Sequence, residues 1–280
     1  MKAIPRIGFG TYRLNEDGIK SGLVCALSCG TAISETKELK SESKIDYKKY
    51  VHIDTAFLYK NQKHIGSVIK KLKIPREDIW ITSKVDKFSI NGGKKDIDKC
   101  ISKCLKDLGV HYIDLLLLHA PANTMADDLA AWKILEDYHL RGIIKHIGVS
   151  NYKEEHLRNI LANSTIKPYT NQIEVSPFFT REKLVKFCKD NGIIVTAHSS
   201  LTKTEKFGDP ILVEIATKYS VTQAQILLKW GLQKDYVIIP RSKNPDHVIE
   251  NTKLDFVISD EDIEKLDQLN INYATHPQYL

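Results

Sequence analysis

The feature that most constrains this chain is a rhythm: short β-forming runs alternate with helical segments from one end to the other. Strands are predicted at Ile7–Gly10, Val51–Asp54, Ile79–Lys84, Ile113–His119, Ile143–Ser150, Thr170–Glu174, Ile193–His198 and Val237–Pro240. Between them lie amphipathic stretches such as "DIDKCISKCLKDLG", "EEHLRNILAN" and "REKLVKFCKDNG", which close on Gly or Asn as helix C-termini do. Strands that are each followed by a helix predict an α/β fold, a (β/α)8 barrel occupying residues 1–280 as one domain. A doubly wound sheet is the competing arrangement. Two stretches break the rhythm. Residues 31–49, with five lysines against four acidic residues, form a polar insertion expected on the face opposite the strand carboxyl ends. The run "VTQAQILLKWGLQK" after "DPILVEIATKYS" puts two helices before the last strand.

Charge and cysteine usage narrow the class. A net charge of +6, spread along the chain without a basic stripe, favours small anionic ligands over nucleic acid. The longest apolar run, "LLLL" at 115–118, is too short for a membrane span, and no signal-like segment opens the chain, so a cytoplasmic enzyme is expected. Five cysteines argue against a disulfide framework. Cys100 and Cys104 belong to one apolar stripe with Ile97, Ile101, Leu105 and Leu108, where cysteine acts as a small hydrophobe. The pair Cys25 and Cys29 has the same spacing on a less regular stripe. No metal site is expected.

In a barrel the site gathers where the strands end. Those positions are polar throughout: Asp54, Lys84, His119, Ser150 with Asn151, Gln172 with Glu174, His198 with Ser199, and Arg241 with Ser242. A phenol such as Tyr59 gives up a proton more readily beside an ammonium, which Lys84 supplies while Asp54 balances its charge. His119 has the chemistry to donate a hydrogen bond to a substrate oxygen. Such a set suits proton delivery to a carbonyl oxygen, with the hydride coming from a cofactor. Metal-dependent hydrolysis through His52, Asp54, His119 and His198, a Schiff-base aldolase using Lys84, and a dinucleotide-binding sensor are the rival readings.

The segments "GFGTYRL", "HIDTAFLYKNQKHIG", "ITSKV", "DLLLLHAP", "IKHIGVSNY", "NQIEVSPF" and "IIPRSKNPDHVIENTKLDF" resemble successive motifs of the aldo-keto reductases, in family order. The chain looks like the compact microbial members of the family, such as the 2,5-diketo-D-gluconate reductases. The resemblance implies a barrel that reduces small-molecule aldehydes or ketones with NADPH, NADH being a possible alternative, and that works as a monomer. It makes Tyr59 the general acid, Asp54 and Lys84 its tuning pair, and His119 the substrate-orienting donor. It assigns Ser150, Asn151 and Gln172 to the nicotinamide carboxamide, and Ser199 and Leu201 to the pyrophosphate. Arg241, Ser242, Lys243 and Asn244 match the ribose 2'-phosphate segment, and Glu250 and Asn251 the adenine contacts. Gly10, Thr11 and Tyr12 correspond to the pocket mouth, with Tyr12 also on the substrate.

Three departures carry expectations of their own. His198 replaces a stacking aromatic, so cofactor binding is expected to be weaker or pH-sensitive. His247 replaces an arginine, which narrows the NADPH preference that Arg241 and Lys243 retain. Ala120 stands where an aromatic is frequent, which predicts a wider or wetter substrate pocket.

Overall fold

A computed structural model describes residues 2–28 and 51–277; Cys29 and the insertion at 31–49 lie outside the described residues. Eight parallel strands follow one another in chain order. They are β1 (Gly8–Gly10), β2 (His52–Asp54), β3 (Trp80–Val85), β4 (Ile113–Leu118), β5 (Ile144–Ser150), β6 (Thr170–Glu174), β7 (Ile194–His198) and β8 (Val237–Ile238). A parallel bridge between Ile7 and Ile238 brings the last strand back to the first. The Gly10 amide then donates to the Pro240 carbonyl at 2.9 Å, extending the closure to the carboxyl end. The β8 strand stops at Ile238, before Pro240, whose nitrogen has no proton for a ladder.

Alternation along the strands sorts the side chains. Ile53, Ile81, Leu116, Leu118, Ile147, Val149, Ile173 and Val195 belong to the two larger buried clusters, shared with the helices. A smaller cluster contains Ile4, Trp80, Leu115, Leu117, Val237 and Ile239. Trp80, Leu115, Leu117 and Val237 are strand positions of the opposite parity, and the cluster plugs the barrel interior. Polar residues of that parity bond to one another: Thr82 Oγ1 accepts from Trp80 Nε1 at 3.1 Å and lies 2.9 Å from His52 Nε2. Thr170 Oγ1 donates to the Ile194 carbonyl at 2.7 Å. The barrel is therefore solid below its carboxyl end, and only the top is open to chemistry.

The helices follow the sequence periodicity. In Lys94–Leu108 the buried face is Ile97, Cys100, Ile101, Cys104 and Leu108, and Gly109 ends the helix at φ 68°. Pro210–Lys218 and Gln223–Gln233 both precede β8. Thr222 caps the second of these through the Gln225 amide, and Gln225 returns the bond to the Thr222 backbone.

The first helical segment starts at the Asn15 cap, passes through a π turn at Ile19–Leu23 and continues as Val24–Ser28. Its Gly22 packs directly on the segment after β8: a β-carbon there would lie 2.4 Å from the Ser242 carbonyl oxygen and 2.9 Å from the Phe9 ring. Ser21 Oγ donates to the Lys243 carbonyl at 2.9 Å. The helix thus sets the height of the 241–245 loop. Gly22→Ala gains roughly 1 kcal/mol of helix propensity and must displace backbone to fit, at about 1–3 kcal/mol. A net loss in urea midpoint is expected; a gain would show that the helix does not bear on that loop.

Candidate functional site

At the open end lies a cavity of about 420 Å³. Its centre is a dehydrated ion pair. Lys84 reaches up from β3, fully buried, and its Nζ lies 2.7 Å from Asp54 Oδ1 on β2. The ammonium also donates to the Thr55 carbonyl at 3.0 Å, and Gln172 Nε2 donates to Asp54 Oδ2 at 2.7 Å. Burial pushes the lysine pKa down, and the charge and hydrogen bond of Asp54 pull it back up. The Lys84 ammonium lies 5.2 Å from the centroid of the Tyr59 ring, which a short 3-10 turn, Phe57–Tyr59, lifts above β2. The His119 ring meets Tyr59 edge-on with centroids 5.6 Å apart.

His119 is held by its backbone. Its amide donates to the Val85 carbonyl at 3.0 Å and its carbonyl accepts from Asn151 Nδ2 at 3.0 Å. Burial, reinforced by the Lys84 charge, drives its pKa down to about 3, so the imidazole is neutral and carries a single N–H.

Asn151 has φ 62°, a conformation asparagine tolerates. The second proton of its Nδ2 goes to Ser150 Oγ at 3.1 Å, and Ser150 Oγ donates to the Gln172 carbonyl at 3.0 Å. With both amide protons committed, Asn151 presents Oδ1 to His198 Nε2 at 3.0 Å, which places the His198 proton on Nε2. Its Nδ1 then accepts from Ser199 Oγ at 3.0 Å. Burial first, and next the neighbouring His276, hold His198 well below the usual histidine range. The pH sensitivity expected of His198 is therefore corrected: this imidazole is half-buried, held neutral and hydrogen-bonded on both nitrogens.

The other residues singled out from sequence fall into two groups. Gly10, Tyr12, Ser199, Leu201 and Arg241 line the same cavity as Asp54, Tyr59, His119, Ser150, Asn151, Gln172 and His198. Ser242, Lys243, Asn244 and His247 lie beyond its edge, where Asn244 caps the exposed helix Pro245–Glu250 through the Asp246 amide. Glu250 bonds to Thr222, and Asn251 is buried at the end of that helix. Thr11 is buried with its hydroxyl on the Asp54 carbonyl at 2.9 Å. Ala120 is buried and outside the lining, so the extra room expected from it is not found in this cavity.

The rival metal set does not converge, because His52 lies in the interior layer below, bonded to Thr82. Among the described residues the group able to bring three ligand atoms together is Glu174, His198 and His276, within 4.8 Å of one another. Both Glu174 oxygens, both His198 nitrogens and His276 Nδ1 are already engaged in internal hydrogen bonds.

Sequence reasoning missed Arg13, Leu58, Ser200, Lys203, Ile239, Pro240 and His276 in the cavity wall. Ser200 and Lys203 adjoin residues that were singled out, so their loop was findable. His276 belongs to no periodic segment and carried no signal.

A phenol, a buried ammonium and a neutral imidazole thus gather at the open carboxyl end of a parallel barrel, an arrangement chemically suited to proton delivery to a carbonyl oxygen. Residues 6–271 match the Aldo/keto reductase family. The chain is 36% identical over 275 residues to an uncharacterised oxidoreductase of Schizosaccharomyces pombe, covering 96% of this chain and 91% of that protein. It is 37% identical over 243 residues to the glyoxal reductase of Bacillus subtilis, covering 86% of each. Among solved structures, an aldo-keto reductase from a deep-sea metagenome library superposes with a TM-score of 0.87 at 29% identity, covering 98% of this chain and 94% of that one. The chain belongs to the aldo-keto reductase family.

Three imidazoles, His52 buried and His119 and His198 half-buried in the cavity wall, link stability to pH. Burial is the main cause of all three depressions: His52 is pushed down to about 4, His119 to about 3, and His198 well below its ordinary value. Unfolded, each takes a proton near pH 6.5; folded, none does. Their stabilising contribution is thus present above about pH 6.5 and is lost as pH falls toward the folded values. Where all three count, the slope approaches about 4 kcal/mol per pH unit. Urea midpoints are expected to fall between about pH 6.5 and about pH 4, more shallowly in His119→Asn. A flat profile would mean that the imidazoles protonate within the folded protein.

Proposed function

We propose that this chain reduces small aldehydes or ketones to alcohols by hydride transfer from NADPH, with Tyr59 as the general acid. The observation that carries the reading is the buried Asp54–Lys84 pair beneath the Tyr59 ring, with Asp54, Tyr59 and a neutral His119 lining one cavity. A purely binding protein has no use for a phenol, an ammonium and a carboxylate in that order.

The donor set suits a nicotinamide dinucleotide. Next to Tyr59 the wall is amide and hydroxyl, from Gln172, Ser150 and Asn151; farther out it turns cationic, with Arg13, Lys203 and Arg241. Gln172 keeps its side-chain oxygen without a partner among the described residues, an acceptor suited to a carboxamide N–H. When bound there, the reduced nicotinamide supplies the hydride.

The remaining steps belong to the chain. His119 donates its single N–H to the substrate carbonyl oxygen and directs it toward Tyr59. Tyr59 passes its hydroxyl proton to that oxygen as negative charge builds there. The Lys84 ammonium stabilises the phenolate left behind, and Asp54 keeps the ammonium in place. Arg241 at the cavity edge, with Lys243 beyond it, supports a preference for the 2'-phosphate of NADPH over NADH. His247, exposed and without a permanent charge, adds less than an arginine would.

Tyr59→Phe is expected to lower kcat by roughly 10²–10⁴-fold while NADPH still binds, measured as dinucleotide oxidation with a reactive aldehyde. Undiminished turnover would remove Tyr59 from the mechanism. Arg241→Ala is expected to cut the NADPH-to-NADH ratio of kcat/KM by about tenfold or more. An unchanged ratio would place the phosphate recognition elsewhere.

A further inference from the structure

The segment after the last helix crosses back over the cavity and is tied down at several points. Asn270 Oδ1 accepts from the Thr180 amide at 3.4 Å, and the Tyr273 amide donates to the Phe178 carbonyl at 3.0 Å. Glu174, at the end of β6, then takes three donors from it: the Thr275 amide at 2.6 Å, the Thr275 hydroxyl at 2.6 Å and the His276 amide at 3.0 Å. On the far side Lys203 Nζ donates to the Thr275 carbonyl at 2.7 Å, and Lys206 lies 4.2 Å from the Tyr273 ring centroid. The loop that carries Lys203 is itself wound tightly, with φ between 50° and 67° at Ser199, Thr202, Lys203 and Thr204. Left-handed conformations at four non-glycine residues persist only where surrounding contacts enforce them.

All of this fastens one imidazole in the cavity wall. His276 stands edge-on to Tyr12 with centroids 6.3 Å apart, and Tyr12 in turn is 5.1 Å from the Tyr59 ring. The hydrogen bonds determine its tautomer. The Thr275 hydroxyl spends its proton on Glu174, so Thr275 Oγ1, 2.9 Å from His276 Nδ1, accepts. Ser199 Oγ spends its proton on His198 and lies 3.3 Å from the same nitrogen. Nδ1 therefore carries the hydrogen, and Nε2 is left with a lone pair that has no partner among the described residues. Burial lowers the pKa of this ring, with Glu174 opposing and the cations Lys203 and Arg13 assisting, which keeps the neutral form.

We propose that His276 is a specificity-determining residue of the substrate pocket, and that its Nε2 accepts a hydrogen bond from a hydroxyl on the substrate chain while Tyr59 and His119 hold the carbonyl. The preferred substrates are hydroxylated aldehydes or ketones. Glu174 is the positioning residue, acting through the Thr275–His276 backbone. The inference rests on the reductase reading above. A pocket built to pair a hydroxyl discriminates against the analogue that lacks it, because the polar group facing that position is left unpaired.

The test compares kcat/KM for glyceraldehyde and for propanal, a pair of equal carbon number, with NADPH. The ratio in a variant divided by the ratio in the wild type cancels the intrinsic reactivity of the two aldehydes. His276→Phe, which keeps a ring and removes the acceptor, is expected to lower the ratio by roughly tenfold or more. His276→Gln returns an acceptor and is expected to recover part of the ratio; Glu174→Gln, which weakens the latch, is expected to lose part of it, mainly through KM for glyceraldehyde. Ratios within about twofold of wild type in His276→Phe, or in Glu174→Gln should the first variant fail to fold, overturn the proposal and leave the reductase reading intact. If the wild type oxidises NADPH with neither aldehyde nor any other carbonyl probe, the reductase reading falls and this inference falls with it.

Discussion

Everything at the open end of the barrel depends on keeping one ammonium ion out of water. Lys84 has no exposed surface, and the Asp54 side chain beside it is 3% exposed. Dehydrating two charges costs several kcal/mol per ion, and their attraction repays that only when the remaining protons and lone pairs are also matched. Here they are. Lys84 also has the Thr55 carbonyl and Asp54 also has the Gln172 amide, so three strands and the turn after β2 must meet in one register to satisfy a single pair. Such a pair adds little net stability. What it contributes is a charge at a defined point under the Tyr59 ring, and a penalty for any packing that would move it.

The same dry interior that makes the pair demanding governs the histidines around it. Neutral imidazoles have a definite donor and a definite acceptor, and the network uses this throughout. Asn151 pins the His119 carbonyl with one amide proton, and its oxygen sets the tautomer of His198. Ser199 passes the polarity on, and Thr275 with Glu174 sets the tautomer of His276. A chain of hydrogen bonds thus runs from the end of β4 to the closing segment of the barrel, and each link assigns the direction of the next. Protonating His198 would cost the bond that its Nδ1 accepts from Ser199, so burial and hydrogen bonding favour the same neutral state there.

How much of this was legible from sequence depends on range. The eight strands follow from short β-forming runs set between helical segments, and the helix between β3 and β4 from its Ile97, Cys100, Ile101, Cys104 stripe. The gathering of Asp54, Lys84 and His119 follows as well, because parallel strands of a closed barrel all end on one face. The shortness of β8 was less visible, since the Pro240 effect depends on which carbonyl faces it. The inward turn of His52 toward Thr82, which removes it from any shared metal site, required knowing that His52 and Asp54 occupy different layers of one strand. The protonation of His198 was misjudged because burial of a strand-end residue depends on what later covers it.

The sequence by itself determined the barrel, the order of its elements and the identity of the groups at its open end, since periodicity, caps and strand termini are local properties of a polymer. The tertiary structure alone decided how those groups are protonated and what else joins them. Glu174 and Thr275 are separated by 101 positions, and Gln172 and Asp54 by 118. No pattern along the chain encodes such a distance. It is the packing of the closed barrel that brings these atoms within hydrogen-bond reach, and the exclusion of water there that gives their polarity its force.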